Sequence, residues 1–209
     1  MLKSVYFEKT RKKFQEIKKR IESPDSKEKL KEFERALEKL LYEYDTANWE
    51  NRFVVGGALE ILFCALLNSL GFKTEWLREP RYDINIDGLS FSLKSNFTSS
   101  GDIRLINILG EEKVRWEEPT LFFISELGIC YLDPEMNLKT KHTSDALTIN
   151  VKEIKEFIEK NKRWNINISI PRKKTPVKII KTASYDVVKS LLEEIDSKFL
   201  KDHLPKFHY

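Results

Sequence analysis

The chain has 209 residues, 41% hydrophobic and 33% charged, which provides for one substantial buried core and argues against a disordered or low-complexity protein. Its formal net charge of +4 is too small for bulk electrostatics to define a nucleic-acid partner. The two cysteines, Cys64 and Cys130, both lie in apolar runs and read as buried free thiols, as suits a reducing cytoplasm.

The N-terminal segment MLKSVYFEKTRKK has no apolar core and does not read as a secretory signal. Val5 to Glu22 has Phe7, Phe14, Ile17 and Ile21 at helical spacing, and Pro24 stops it. Ser26 is positioned to cap a second amphipathic helix, Lys27 to Tyr44, which completes an N-terminal helical hairpin. The basic runs Arg11–Lys13 and Lys18–Arg20 read as solvated helix faces. Lys160–Arg163 and Arg172–Lys174 are two further basic runs.

A third helix is expected from about Trp49 to Leu70, with Gly71 as its stop. From Phe53 to Phe72 it carries one charged side chain, Glu60. That is long enough to cross a bilayer, but the central acid costs about 2.5–3.5 kcal/mol on insertion, so a buried core helix is the better reading and no membrane is expected. A strand, Phe72 to Leu77, precedes the segment YDINIDGLSFSLK, Tyr82 to Lys94. Asp87-Gly88 between two alternating runs predicts a two-residue hairpin turn. That register pairs Ile86 with Leu89, Ile84 with Phe91 and Tyr82 with Leu93 on an apolar face. Asp83, Asn85 and Asp87 then share the other face with Ser90, Ser92 and Lys94.

Ser95 to Gly101 reads as a polar loop, and Asp102 to Leu109 as strand or short helix. Thr120 to Ser125 and Gly128 to Leu132 form a predicted hairpin, and Pro134 to Ser144 a basic polar loop. Asn150 with Glu153 resembles a capping box for a helix over Val151 to Asn161. Strands follow at Asn165 to Ile170 and Val177 to Lys181, then a helix capped by Ser184 and running to about Leu200. The expected fold is α/β or α+β: one mixed central sheet flanked by helices in a single domain, 1–209. Its expected subregions are N-terminal helices (1–48), a core (49–132) and C-terminal strands and helix (133–209).

Glu60 is the first chemical anomaly. A carboxylate among Leu59, Ile61, Leu62 and Phe63 needs a cation, a metal or a shifted pKa. A salt bridge to Arg52 or Lys73, or a helix edge that touches water, would satisfy it equally well. The hairpin is the second, since its polar face sets an acid at a strand start beside a lysine on the next strand.

Together, Gly56-Gly57-Ala58-Leu59-Glu60, Tyr82-Asp83-Ile84 and Ser92-Leu93-Lys94 running into Ser95-Asn96-Phe97 resemble the PD-(D/E)XK nuclease superfamily, and more narrowly type II restriction endonucleases. The likeness covers roughly residues 52 to 109. It implies a restriction-endonuclease-like core in which Asp83 binds Mg²⁺, the Leu93 carbonyl is a further ligand and Lys94 acts on the attacking water. By the same resemblance Glu60 joins the metal cluster from the preceding helix. Tyr82 stands in place of the motif's proline, and Ser92 in place of its second acid. Either Glu60 supplies the charge that Ser92 lacks, which is the favoured reading, or the chain is a nuclease without activity. Mg²⁺ retains waters, so one or two carboxylates and a phosphate suffice to hold it.

The implied partner is double-stranded DNA, cut by a homodimer whose twofold axis matches a palindromic site. Asn96 and Ser99, beside Lys94, are candidate DNA contacts, and Arg104 and Asn107 candidate base readers. Lys139, Lys141 and His142 form a candidate second contact whose plain reading is a solvent-exposed loop tip. Asn48 and Trp49 are lesser candidates. No organic cofactor is implied: the chain has no glycine-rich phosphate loop, and its histidines do not cluster. A structure-specific repair or junction-resolving nuclease and a non-catalytic DNA-binding protein are the alternatives.

Overall fold

The computed structural model describes residues 3–44, 49–77, 79–107, 114–173 and 182–206. Helices α1 (Lys3–Ile21) and α2 (Lys27–Glu43) are the two expected N-terminal helices, joined through a 3₁₀ turn at Pro24–Ser26. Ser26 does not cap α2 with its side chain. Its hydroxyl donates back to the Ile21 and Ser23 carbonyls, at 2.5 and 2.6 Å, closing the end of α1 instead. Helix α3 (Trp49–Ser69) is followed by Gly71 at φ +90°, the left-handed stop that glycine adopts without strain. Asn51–Ser69 is apolar and long enough to cross a membrane, yet 67% of that window is buried inside the protein, where α2, α5 (Ser184–Glu194) and the sheet cover it.

The class is α+β, with helices flanking a mixed central sheet of six strands. Its order is β1 (Thr74–Trp76), β2 (Ile84–Ile86), β3 (Leu89–Asn96), β5 (Thr120–Ile124), β6 (Gly128–Leu132) and β9 (Asn165–Ile166). Strands β3 and β5 run parallel and every other pair is antiparallel. The hairpin register is as expected, with Ile84 opposite Phe91 and Ile86 opposite Leu89. Asp87 and Gly88 take positive φ of 49° and 84° in the two-residue turn. Strands β5 and β6 are buried at all their positions, so they show continuous apolar runs rather than alternation.

Helix α1 is pinned to the sheet by polar groups. Arg11 donates to both oxygens of the buried Asp133 at 2.7 and 2.6 Å, and the Tyr6 hydroxyl bonds the Ser90 backbone. The first basic run is therefore partly structural and not simply a solvated face. Phe14 stacks on Tyr131 beneath it, while Phe63 of α3 packs edge-on against Phe123.

A second, three-stranded sheet in the order β4 (Asp102–Asn107), β8 (Ala146–Asn150), β7 (Thr140–His142) departs from the expected single sheet. Residues 140–142, read as loop, are its exposed edge strand. Asn150 caps α4 (Val151–Lys160) by accepting from the Lys152 N–H, without a reciprocal bond from Glu153. Strand β9 ends at Ile166, four residues short of expectation, and the expected strand Val177–Lys181 lies outside the described residues. Ser184 is the first residue of α5 and makes no capping bond; α5 stops at Glu194, before Asp196 at φ +50°.

Gly128 offers a test of this packing. Its φ is +105°, and a Cβ there would sit 2.2 Å from the Ile166 carbonyl oxygen across the β6–β9 junction. Gly128→Ala should therefore destabilise the protein by about 3 kcal/mol or more, read as a fall in urea midpoint. An unchanged midpoint would mean that β9 does not pair as described.

Candidate functional site

The site forms where the β2 ladder ends. Pairing with β3 stops at Ile84, while β3 runs on to Asn96. The backbone of Asp83 is fixed from both sides: its N–H donates to the Phe91 carbonyl at 2.9 Å, and its carbonyl accepts from Leu77 at 2.8 Å. Its carboxylate occupies the place that the next ladder carbonyl would take. Asp83 Oδ2 accepts from the Leu93 N–H at 2.5 Å and the Ser92 hydroxyl at 3.0 Å, with Lys94 Nζ at 3.8 Å. The expected pairing of Tyr82 with Leu93 is absent, because the Asp83 side chain takes up that edge of β3. In an extended strand the N–H and C=O of one residue face the same side. The Leu93 carbonyl therefore points toward the same edge as its N–H.

Glu60 arrives from α3. It pairs with neither Arg52 nor Lys73; its Oε2 accepts from the Trp76 indole N–H at 2.8 Å. Trp76 ends β1, and the sequence marks it only as a strand residue. Burial pushes the Glu60 carboxyl up to about 7, and the Asp83 charge pushes the same way. The Trp76 hydrogen bond and the Lys94 charge oppose them without prevailing. The charges of Asp83 and Lys94 thus both act on Glu60, and Lys94 stands 3.8 Å from Asp83.

A second acid in a helix supplies the contrast. Glu32 is buried where Glu60 is half-buried, yet it accepts from the Ser197 hydroxyl and from the Lys198, Phe199 and Leu200 N–H groups. Burial works against its charge, but those donors outweigh it and hold the pKa below the usual carboxylate range. Glu32 is a satisfied structural carboxylate. Glu60 has one hydrogen-bond donor, with the Asp83 charge raising its pKa and the Lys94 charge lowering it.

One oxygen of each carboxylate is left open. No described residue donates to Asp83 Oδ1 or Glu60 Oε1, and neither atom is sealed from solvent. Each carboxylate is thus anchored through one oxygen and open at the other. Among the described residues no three His, Cys, Asp or Glu side chains gather into a cage. Two carboxylates and a carbonyl suit a hard cation that keeps its waters, such as Mg²⁺, and do not suit zinc.

Lys94 and Ser92 also line a cleft of about 570 Å³. Its walls include Arg81, Trp116 and Glu118, and at its far side Leu105 and Asn107 of β4. Arg81 leans on Glu117 and Glu118 at 3.6 and 3.8 Å. Arg81, Trp116 and Glu118 come from segments without periodicity, which leaves them without a signal in the sequence.

The candidate DNA contacts separate into two groups. Asn96 closes its own loop, accepting from Thr98 and donating to the Ser100 carbonyl. Ser99 is buried and donates to the Ser125 carbonyl at 2.9 Å, so it holds the loop to β5 and does not reach outward. Arg104, Asn107 and Lys141 fare differently. A bulge between Arg104 and Ile106 keeps Arg104 and Asn107 on one face of the small sheet despite their odd spacing. Register through Thr148 adds Lys141 to that face. Arg104 is about half exposed and pairs with Asp145 at 2.6 Å. Lys139 and His142 are exposed, with His142 in register with Leu147 and Ile106 on the opposite face. Asn48 and the Trp49 side chain lie outside the described residues.

No family model, curated protein or solved structure matches this chain.

Proposed function

We propose that this protein is a Mg²⁺-dependent endonuclease acting on double-stranded DNA, most closely in the manner of a type II restriction enzyme of the PD-(D/E)XK kind. The observation that carries this reading is the pair of half-anchored carboxylates, Glu60 and Asp83, both under the charge of Lys94, which stands 3.8 Å from Asp83 and lines a cleft. Asp83 Oδ1, Glu60 Oε1 and the Leu93 carbonyl would hold the metal. When bound, Mg²⁺ supplies a Lewis acid and a water of lowered pKa. The chain's own residues do the rest. Ser92 and the Leu93 N–H fix Asp83, and Trp76 fixes Glu60. Lys94 sets a compact cation where charge develops on the phosphoryl oxygens. Water adds to phosphorus as one ester P–O bond breaks, and the proton lost by water ends on the leaving oxygen.

The cleft joins this centre to β4, whose polar face presents Asn107 and Arg104 with Lys141 on the neighbouring edge strand. That face would lie on the duplex, with arginine suited to guanine and asparagine to adenine. A homodimer would bring two such centres to the two strands.

The test is incubation of the purified protein with plasmid DNA in Mg²⁺ and in EDTA. Discrete fragments in Mg²⁺ alone are the expected result. Cutting confined to branched DNA would instead favour a junction-resolving role, and intact plasmid with retained binding would leave a DNA-binding protein.

A further inference from the structure

Ser92 stands where the family resemblance would put a second acid, and its geometry gives it a different task. We propose that Ser92 is a positioning residue that makes Asp83 a one-oxygen ligand, with Oδ2 held by the protein and Oδ1 presented to a divalent cation. This inference rests on the metal-binding reading of the site.

The Ser92 hydroxyl is placed by the sheet. Its residue is 5% exposed, its N–H donates to the Pro119 carbonyl at 3.0 Å, and it lies in parallel register with Thr120. From there its hydroxyl donates to Asp83 Oδ2 at 3.0 Å, and the Leu93 N–H donates to the same atom at 2.5 Å. Those two donors take up the two lone-pair sites of that oxygen. Oδ1 receives no donor from any described residue, so the ligand direction of Asp83 is fixed before an ion arrives. An acid at position 92 would reverse this. It would offer no donor at neutral pH and would set a second negative charge against Asp83, whose charge already acts on Glu60. With the second carboxylate coming from α3, a neutral donor on β3 is the arrangement that orders the site without adding repulsion.

Ser92→Ala tests the role, with Mg²⁺ titrated calorimetrically into the DNA-free protein. Affinity should fall about tenfold, as it does when outer partners of metal ligands are removed. Melting in EDTA should match the wild type, and the Mg²⁺ concentration for half-maximal cleavage should rise in step with the lost affinity. Infrared spectra of aspartate-labelled protein should show the widened carboxylate splitting of one-oxygen ligation in the wild type, and its loss in Ser92→Ala. Wild-type Mg²⁺ affinity in Ser92→Ala overturns the positioning role and leaves the metal reading intact. If the wild type binds no Mg²⁺ at all, both fall together.

Discussion

Lys94→Ala is expected to slow Mg²⁺-dependent cleavage by about 10²–10³-fold, the usual cost of removing one preorganised donor of transition-state stabilisation. The fold should survive it. Lys94 is partly exposed, its contact with Asp83 is 3.8 Å long, and such pairs contribute at most about 1 kcal/mol. A second consequence separates a catalytic cation from a merely neighbouring one. Lys94 lowers the Glu60 pKa, so its removal pushes that carboxyl further up and weakens metal binding near neutrality. Raising pH and Mg²⁺ together should restore metal occupancy in Lys94→Ala but not the rate. Asp83→Asn should lose both, since the amide can still accept from Ser92 and Leu93 but brings no charge to the ion. If Lys94→Ala cut plasmid as fast as the wild type, the residue would be no more than a solvated strand lysine.

How far the sequence discloses this site depends on the reach of each interaction. The Asp87-Gly88 hairpin is legible because register there is local: a two-residue turn and period-two alternation fix every pair. Glu60 is legible as a cost, since a carboxylate in a helix that is apolar all round must be answered by something. What answers it is not legible. Trp76 reaches it from β1 by a hydrogen bond and Asp83 acts on it by charge from beside β2, and neither relation has a sequence period. Ser92 looks like a defect in a motif because its value lies in a bond across the sheet edge to Asp83. Glu32 escapes notice for the opposite reason. It sits on a helix rich in charge, and the residues that bury and satisfy it, Ser197 to Leu200, lie at the other end of the chain. The small sheet is hidden because Thr140–His142 is exposed throughout and shows no alternation, so only its long-range pairing with β8 marks it as a strand.

Glu60→Gln should abolish cleavage and, in the absence of metal, make the protein more stable. The carboxyl titrates at about 7 in the folded chain against a reference of 4.5. Below about pH 4.5 it is protonated in both states and contributes nothing. Between about 4.5 and 7 the folded state keeps a proton that the unfolded chain has lost, so stability declines as pH rises. Above 7 the full cost is present, about 3 kcal/mol for a shift of this size, at about 1.4 kcal/mol per pH unit. Glutamine has nearly the same shape, can still accept from the Trp76 indole and carries no charge against Asp83. At pH 8 in EDTA, Glu60→Gln should therefore melt several degrees above the wild type, since about 1 kcal/mol corresponds to about 2–4 °C for a chain of this length. The difference should shrink to nothing near pH 4.5. Added Mg²⁺ should reverse the order at pH 8, because an ion that binds only the folded wild type returns stability by mass action and gives the glutamine variant little. Only a carboxylate kept under tension for a cation predicts all three results: the pH window, the exchange of order with metal and the lost activity. A Glu60→Gln protein that melted below the wild type at every pH would mean that the charge belongs to the scaffold, as the charge of Glu32 does.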